Sequence, residues 1–443
     1  MIFSSIQFLI FFSIFLIFLK IFTNSQRSII ILFSLFFYGF WSPLFTFLIL
    51  FFFISSYFFL KKDLSLKISI PITLLPLFYF KYSFFLSNFF DNKMLTDLSY
   101  KGNLPLAISF ITFTAIAILI DVKTKKYEEK INFLSLSEFL IYFPQLIAGP
   151  ILRAKELIPL LKNKIIFTND NVKFGILLFM IGFIKKIFLA DSISSFIDPI
   201  FEKENLTASE DYIKGFLLFP LQIYFDFSGY VDMALGVSKI LSINLPINFN
   251  KPYLSKSLTE FWRNWHITLS KWFRDYIYIP LGGSKNGNKK LFGNLFVTMS
   301  IAGLWHGASI NFILWGSLNG VFLFIEKKMN KYFNFNKLLQ IFLTCFVVFN
   351  LWLIFRINDL NFLIFFYKNL YFNFFTIFQI ENLILLFLVI ISVFSQKIDN
   401  YSSLEKLSKK INLLILIPIF IVILITGLAI KAGSSEKFIY FDF

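Results

Sequence analysis

Ten apolar stretches decide what this chain can fold into: residues 2–22, 28–60, 68–90, 104–120, 171–190, 212–242, 291–326, 338–357, 379–395 and 412–430. An α-helix needs roughly 20 apolar residues to cross the hydrocarbon of a bilayer, and Pro43 divides the second stretch into two passes. With 57% hydrophobic residues, 67 of them Phe, and only 15% charged, the chain falls outside the range of soluble domains. The pattern predicts an all-α polytopic membrane protein, with about eleven transmembrane helices. The first stretch has neither a basic leader nor a small-residue cleavage site, so it is expected to be a retained helix and not a signal peptide. No repeat and no soluble insertion breaks the chain, so residues 1–443 are expected to form one membrane domain.

The formal charge of +16 would suggest nucleic acid in a soluble protein. In a polytopic one it reflects Lys and Arg gathered in cytoplasmic loops, and no nucleic-acid partner is expected. Membrane lipids are the expected surroundings, in the inner or cytoplasmic membrane. The one cysteine, Cys345, lies in an apolar run without a charged neighbour. It can form no internal disulfide and is a poor nucleophile. Neither a metal site nor a bound cofactor is expected.

The chain contains two histidines, His266 and His306, and each follows a tryptophan. Around the first, on a helical wheel, Leu258, Phe261, Trp262, Trp265, Leu269, Trp272, Phe273 and Tyr276 occupy one arc of about 120°. Glu260, Arg263, Lys271, Arg274 and Asp275 lie opposite. Such a helix is expected to lie in the membrane interface or line a wet cavity, with His266 at the edge of its apolar arc. The segment 251–290 holds eight Lys or Arg against Glu260 and Asp275, which assigns it to the cytoplasmic side. That charge could also attract a phosphorylated acyl donor or an acidic carrier protein.

His306 lies instead in an uncharged run from Asn294 to Phe324. An ionisable group at membrane depth is costly and by default a functional candidate. Ala302, Gly303, Gly307 and Ser309 around it let a helix or a substrate approach closely. A neutral imidazole there can take a proton from an attacking hydroxyl; the alternative is a packed histidine bonded to a backbone carbonyl. A third stretch, LQIYFDFSGYVDMALG (221–236), places Asp226 and Tyr230 among apolar residues. Its carboxylates need partners and fit ion pairing as well as a hydrophilic funnel.

The blocks FPQLIAGPILR (143–153), FIKKIFLAD (183–191), YFDFSGYVDMALG (224–236), LPINFNKPYLSKSLTEFWRNWHITLSKWFRDYIYIPLGG (245–283) and GLWHGAS (303–309) resemble the membrane-bound O-acyltransferase superfamily. The likeness is to its bacterial alginate and peptidoglycan O-acetylating branch. The resemblance implies a ring of tilted helices around a central tunnel, with the catalytic core at about 104–330. It makes His306 the superfamily's intramembrane histidine and His266 the second histidine of the branch, with Trp305, Trp262, Arg263, Asn264, Asp226 and Tyr230 lining the tunnel or substrate. Asn264 stands where the branch usually carries a second Arg. The implied donor is an acetyl-CoA or acyl-carrier-protein thioester, and the implied acceptor is an extracytoplasmic polysaccharide.

The tail FIYFDF (438–443) fits the pattern F-x-Y-x-x-F. By the same resemblance Tyr440 would carry the acyl group onward to an extracytoplasmic transferase; the plain alternative is an interfacial aromatic anchor. Teichoic-acid D-alanyl transfer is a second reading within the superfamily. A polysaccharide or lipid-carrier transporter is the reading outside it, although such proteins commonly show paired, interrupted helices in two related halves. The basic segment offers a test of orientation. A cysteine introduced at Ser284, beside the Lys285–Lys290 cluster, should stay unlabelled by a membrane-impermeant thiol reagent in intact cells, and labelling there would invert the topology.

Overall fold

The computed structural model describes residues 1–147, 149–202, 209–285, 287–329 and 335–431. They form helices and connecting turns, with no strand among the described residues. Every predicted apolar stretch has become helix, and the break at Pro43 separates Gln26–Gly39 from Thr46–Lys61. Three helices among the described residues are long and apolar enough to cross a bilayer, Leu66–Phe89, Lys337–Arg356 and Leu413–Ile430. On the last of these, Leu414 is 79% and Ile425 63% exposed. A surface this apolar is tolerable only against lipid.

Among the described residues the chain divides into two compact units that interleave along the sequence, Met1–Ile181 with Tyr230–Pro246 and Ile411–Leu428, and Gly182–Gly229 with Ile247–Lys410 and 429–431. The first unit is built on aromatic packing around Phe3, Phe8, Phe11, Phe37 and Phe143. Arg27 and Glu138 tie its helices together, with Arg27 Nε donating to Oε1 at 2.9 Å. The side chain of Gln26 both donates to and accepts from the backbone of Ile165.

The second unit holds both histidines, and it corrects two expectations. Residues 258–276 are not one continuous amphipathic helix: Leu258–Asn264 stops, His266 adopts a left-handed backbone at φ 41°, and Ile267–Phe273 starts afresh. The reason lies outside the segment. The Asn248 carbonyl accepts from Ile267 N–H at 3.0 Å, and Asn248 Oδ1 accepts from Thr268 N–H and Oγ1 at 3.0 and 2.7 Å. These bonds serve the exposed amide ends of the second helix, so the chain can break there at little cost. At the other end, the Ser257 hydroxyl caps Leu258–Asn264 by accepting from Glu260 N–H.

The run 291–326 likewise is not one span but a hairpin of Gly287–His306 and Ile310–Met329, with His306 as the last residue of the first helix. Glycine sets its tightness. A Cβ on Gly303 would stand 2.1 Å from the Phe312 carbonyl oxygen, and one on Gly316 would stand 2.2 Å from that of Met299. Backbone therefore lies against backbone, as small residues permit in membrane helices. Gly316→Val should lower the melting temperature of the detergent-purified protein, with a cost of about 1–3 kcal/mol or more from overpacking. Gly293→Ala is the control, since nothing lies within 4 Å of its added Cβ; equal melting of the two variants would refute close packing as the constraint.

Candidate active site

His306 ends its helix inside an aromatic box. Its ring meets Trp305, Trp315 and Phe355 at centroid distances of 4.9, 5.2 and 5.2 Å, all edge to face, while Trp352 stacks behind Trp315 at 5.7 Å. The ring is thereby fixed in orientation and only 5% exposed. A helix C-terminus carries partial negative charge. Such an end favours a positive charge placed on it.

A cavity of about 810 Å³ reaches His306. It follows the helix Gly287–His306, touching Leu291, Leu295, Thr298, Ala302 and finally His306. The exposed side chains of Arg263, Lys271, Arg274 and Lys327 also line it. The cavity thus has a basic mouth and an imidazole floor. Within its wall the Trp262 indole N–H donates to Asn319 Oδ1 at 3.2 Å, and the Asn319 amide donates to the Trp315 carbonyl at 2.8 Å. Glu326 also lines the cavity, accepting from the Leu258 and Thr259 amides and from the Thr259 hydroxyl at 2.7 Å. A carboxylate at a helix N-terminus is favourable, so Glu326 pins the short helix that carries Trp262 and Arg263. Sequence reasoning missed Glu326; the available signal was an acid closing an otherwise uncharged run.

His266 lies behind this wall, outside the cavity lining, and is 1% exposed. Its ring meets Phe227 at 4.7 Å and Trp305 at 6.0 Å, so Trp305 touches both histidines. No other described residue bonds either ring nitrogen of His266, although its own backbone acts on the ring. Burial pushes its pKa down to about 3, which keeps the ring neutral at physiological pH. The ring thus combines deep burial with a left-handed backbone angle, a costly local arrangement.

Of the other expected site residues, Trp262 and Arg263 line the cavity and Trp305 stands beside both histidines. Asn264 donates its amide to Ser255 Oγ at 3.1 Å and is not part of the lining. Tyr230 belongs to the first unit, where it stacks on Phe3 at 4.7 Å. Tyr440 lies outside the described residues. Asp226 is buried in an ion-pair cluster, with Lys186 Nζ at 2.7 Å from it and 2.6 Å from Asp191. Beside this cluster Lys185 pairs with Asp399, which also accepts from the Tyr224 hydroxyl at 3.0 Å. Removing the cation from such a cluster strands two carboxylates, whereas removing one carboxylate leaves a neutral pair. Lys186→Met should therefore destabilise by about 3–5 kcal/mol and reduce accumulation in the membrane sharply. Asp226→Asn should accumulate near wild-type level, and the reverse order on immunoblots would contradict the assignment.

The family model described as MBOAT, membrane-bound O-acyltransferase, matches residues 123–366, which include both histidines. The "Peptidoglycan O-acetyltransferase" of Helicobacter pylori is 36% identical over 384 residues, 75% of this chain and 71% of its own. A "Probable alginate O-acetylase AlgI" of Pseudomonas syringae pv. tomato is 42% identical over 261 residues, 58% of this chain and 50% of the relative. The chain thus spans about half the length of the alginate relatives it matches. The "Teichoic acid D-alanyltransferase" of Bacillus subtilis is more distant, 29% identical over 51% of this chain and 61% of its own. On the length and identity of these matches, the chain belongs to the membrane-bound O-acyltransferase family.

Proposed function

We propose that this protein transfers an acetyl group from a cytosolic thioester to a hydroxyl, for O-acetylation of an extracytoplasmic polysaccharide. The observation that carries the reading is the cavity joining exposed cations to the boxed imidazole of His306. Clustered positive charge concentrates an anionic donor at the mouth. The donor is a substrate, acetyl-CoA or an acyl-carrier-protein thioester, and not a resident cofactor. The acceptor is the kind named for the relatives, alginate-like polysaccharide or peptidoglycan. About eleven passes in the inner membrane, by the length rule for apolar helices, would set the cavity mouth on the cytosolic side and the acceptor opposite.

In the reaction the acceptor O–H gives its proton to the neutral imidazole of His306 while its oxygen attacks the thioester carbonyl carbon. The tetrahedral intermediate then expels the thiolate, and the imidazolium returns the proton to that sulfur. The C–S bond breaks, a C–O bond forms, and the histidine ends as it began. The aromatic box holds the ring to one orientation, the kind of fixed geometry on which near-attack alignment depends. His266, outside the cavity, would act through Trp305 or on the acceptor.

His306→Ala should remove glycan O-acetylation completely while leaving the protein inserted and abundant, and near-normal ester content in that strain would end the catalytic assignment. His266→Ala should lose most but not all of it. For the tail we propose two steps, thioester to Tyr440 and then Tyr440 to an extracytoplasmic transferase. A phenol leaves more readily than an alcohol, its parent pKa being near 10. Tyr440→Phe keeps an aromatic anchor and removes only the hydroxyl, so full acetylation in that variant would mean direct transfer at His306.

A further inference from the structure

Along the helix Gly287–His306, Thr298, Ala302 and His306 all line the cavity at every fourth position. Thr298 differs from five other helical threonines. Thr73, Thr112, Thr114, Thr344 and Thr426 each donate their hydroxyl to the carbonyl four residues earlier, at 2.7–2.8 Å. Thr298 Oγ1 has no hydrogen-bond partner among the described residues, although the side chain is only 5% exposed. A buried hydroxyl left unpaired costs about 1–3 kcal/mol. The local remedy is a rotation about χ1 to the carbonyl four residues back.

We infer that Thr298 binds the distal amide of the pantetheine arm that carries the acyl group. The inference rests on the reading of a thioester consumed at His306 and extends it to a binding residue. Eight helical residues at about 1.5 Å each put Thr298 about 12 Å nearer the mouth than His306. In an extended pantetheine thioester the distal amide nitrogen is eight bonds from the acyl carbon, about 10 Å at roughly 1.2 Å per bond. With a hydrogen bond added, that amide falls level with the hydroxyl. The proximal amide, about half as far along at the same spacing, falls level with Ala302, which offers only a methyl group. A hydroxyl can donate to the amide carbonyl or accept from its N–H. The neighbouring lining side chains Leu295, Met299 and Leu323 are apolar, so this oxygen sets the register of the arm against the imidazole.

The test compares thioester cleavage by the full-length protein in nanodiscs with acetyl-CoA and with S-acetyl-N-acetylcysteamine, which keeps the proximal amide and lacks the distal one. For acetyl-CoA, Thr298→Val should raise KM about 5–10-fold with kcat unchanged, the worth of one net hydrogen bond. KM for the truncated donor should not move. Thr298→Ser should restore the acetyl-CoA value, and the melting temperature of the valine variant should match or exceed wild type, because no structural bond is lost. An acetylated carrier protein forms a separate arm; a KM shift there with acetyl-CoA inactive identifies the carrier as the source of the same pantetheine. Equal shifts with full and truncated donors, no shift with either pantetheine donor, a serine variant behaving like valine, or a lowered melting temperature would each overturn the inference. If the wild-type protein cleaves none of these thioesters, the acyltransferase reading itself fails, and the inference with it.

Discussion

The site depends on one close approach, glycine against backbone in the hairpin of Gly287–His306 and Ile310–Met329. Lipid offers no hydrophobic drive for two apolar helices to associate, so contact has to come from packing at short range. Gly303 and Gly316 supply that contact one turn before His306 and on the facing helix. Because the helices meet so closely there, the histidine emerges at the corner of the hairpin, where Trp315 from the second helix can reach it. Trp352 and Phe355 from Lys337–Arg356 then complete the box. The orientation of one imidazole thus follows from two missing side chains on the hairpin.

Around this corner charge is arranged by depth. The cations lining the cavity, Arg263, Lys271, Arg274 and Lys327, are exposed, where hydration makes them cheap. Glu326 sits among them but is engaged by the amide end of Leu258–Asn264, which leaves the field of the mouth positive. The deeper cations of the same unit are neutralised instead, Lys186 by Asp191 and Asp226, and Lys185 by Asp399. An unpaired charge at that depth would cost several kcal/mol, whereas at the exposed rim pairing is optional, and Arg274 there bonds Asp275 at 2.7 Å.

Much of this could be read from the sequence, and what could not has a common cause. Apolar runs announced the helices because hydrocarbon imposes length and composition directly. His306 and His266 stood out by rarity, and Trp262 and Arg263 came with the same block. The break at His266 was hidden because its cause, Asn248, precedes Thr268 by twenty residues and a helical wheel sees only its own segment. The hairpin at His306 was hidden because an uncharged run of glycine and apolar residues reads equally as one long span or two packed ones. Glu326 and Thr298 were overlooked because each is an ordinary residue type whose significance lies in a partner, or in the lack of one. For Asp226 the ion-pairing reading agrees with its contact to Lys186, while Tyr230, grouped with the lining by motif, belongs to the first unit.

His266 shows what the second unit sacrifices. A left-handed backbone at a residue other than glycine costs roughly 1–2 kcal/mol, and a buried nitrogen left without a partner adds about 1–3 kcal/mol. A Gly-Leu pair at 266 and 267 would avoid both charges on stability while keeping the break that Asn248 caps. The surroundings absorb the expense: Trp265, itself 1% exposed, packs at 5.0 Å on both Phe249 and Trp352, and Phe227 packs at 5.0 Å on Phe249. Dense aromatic contact therefore holds in place a polar ring that it does nothing to satisfy. Such a mismatch between local rule and global packing is the kind expected at functional or strained positions. Here it falls on the residue that shares Trp305 with the histidine of the cavity.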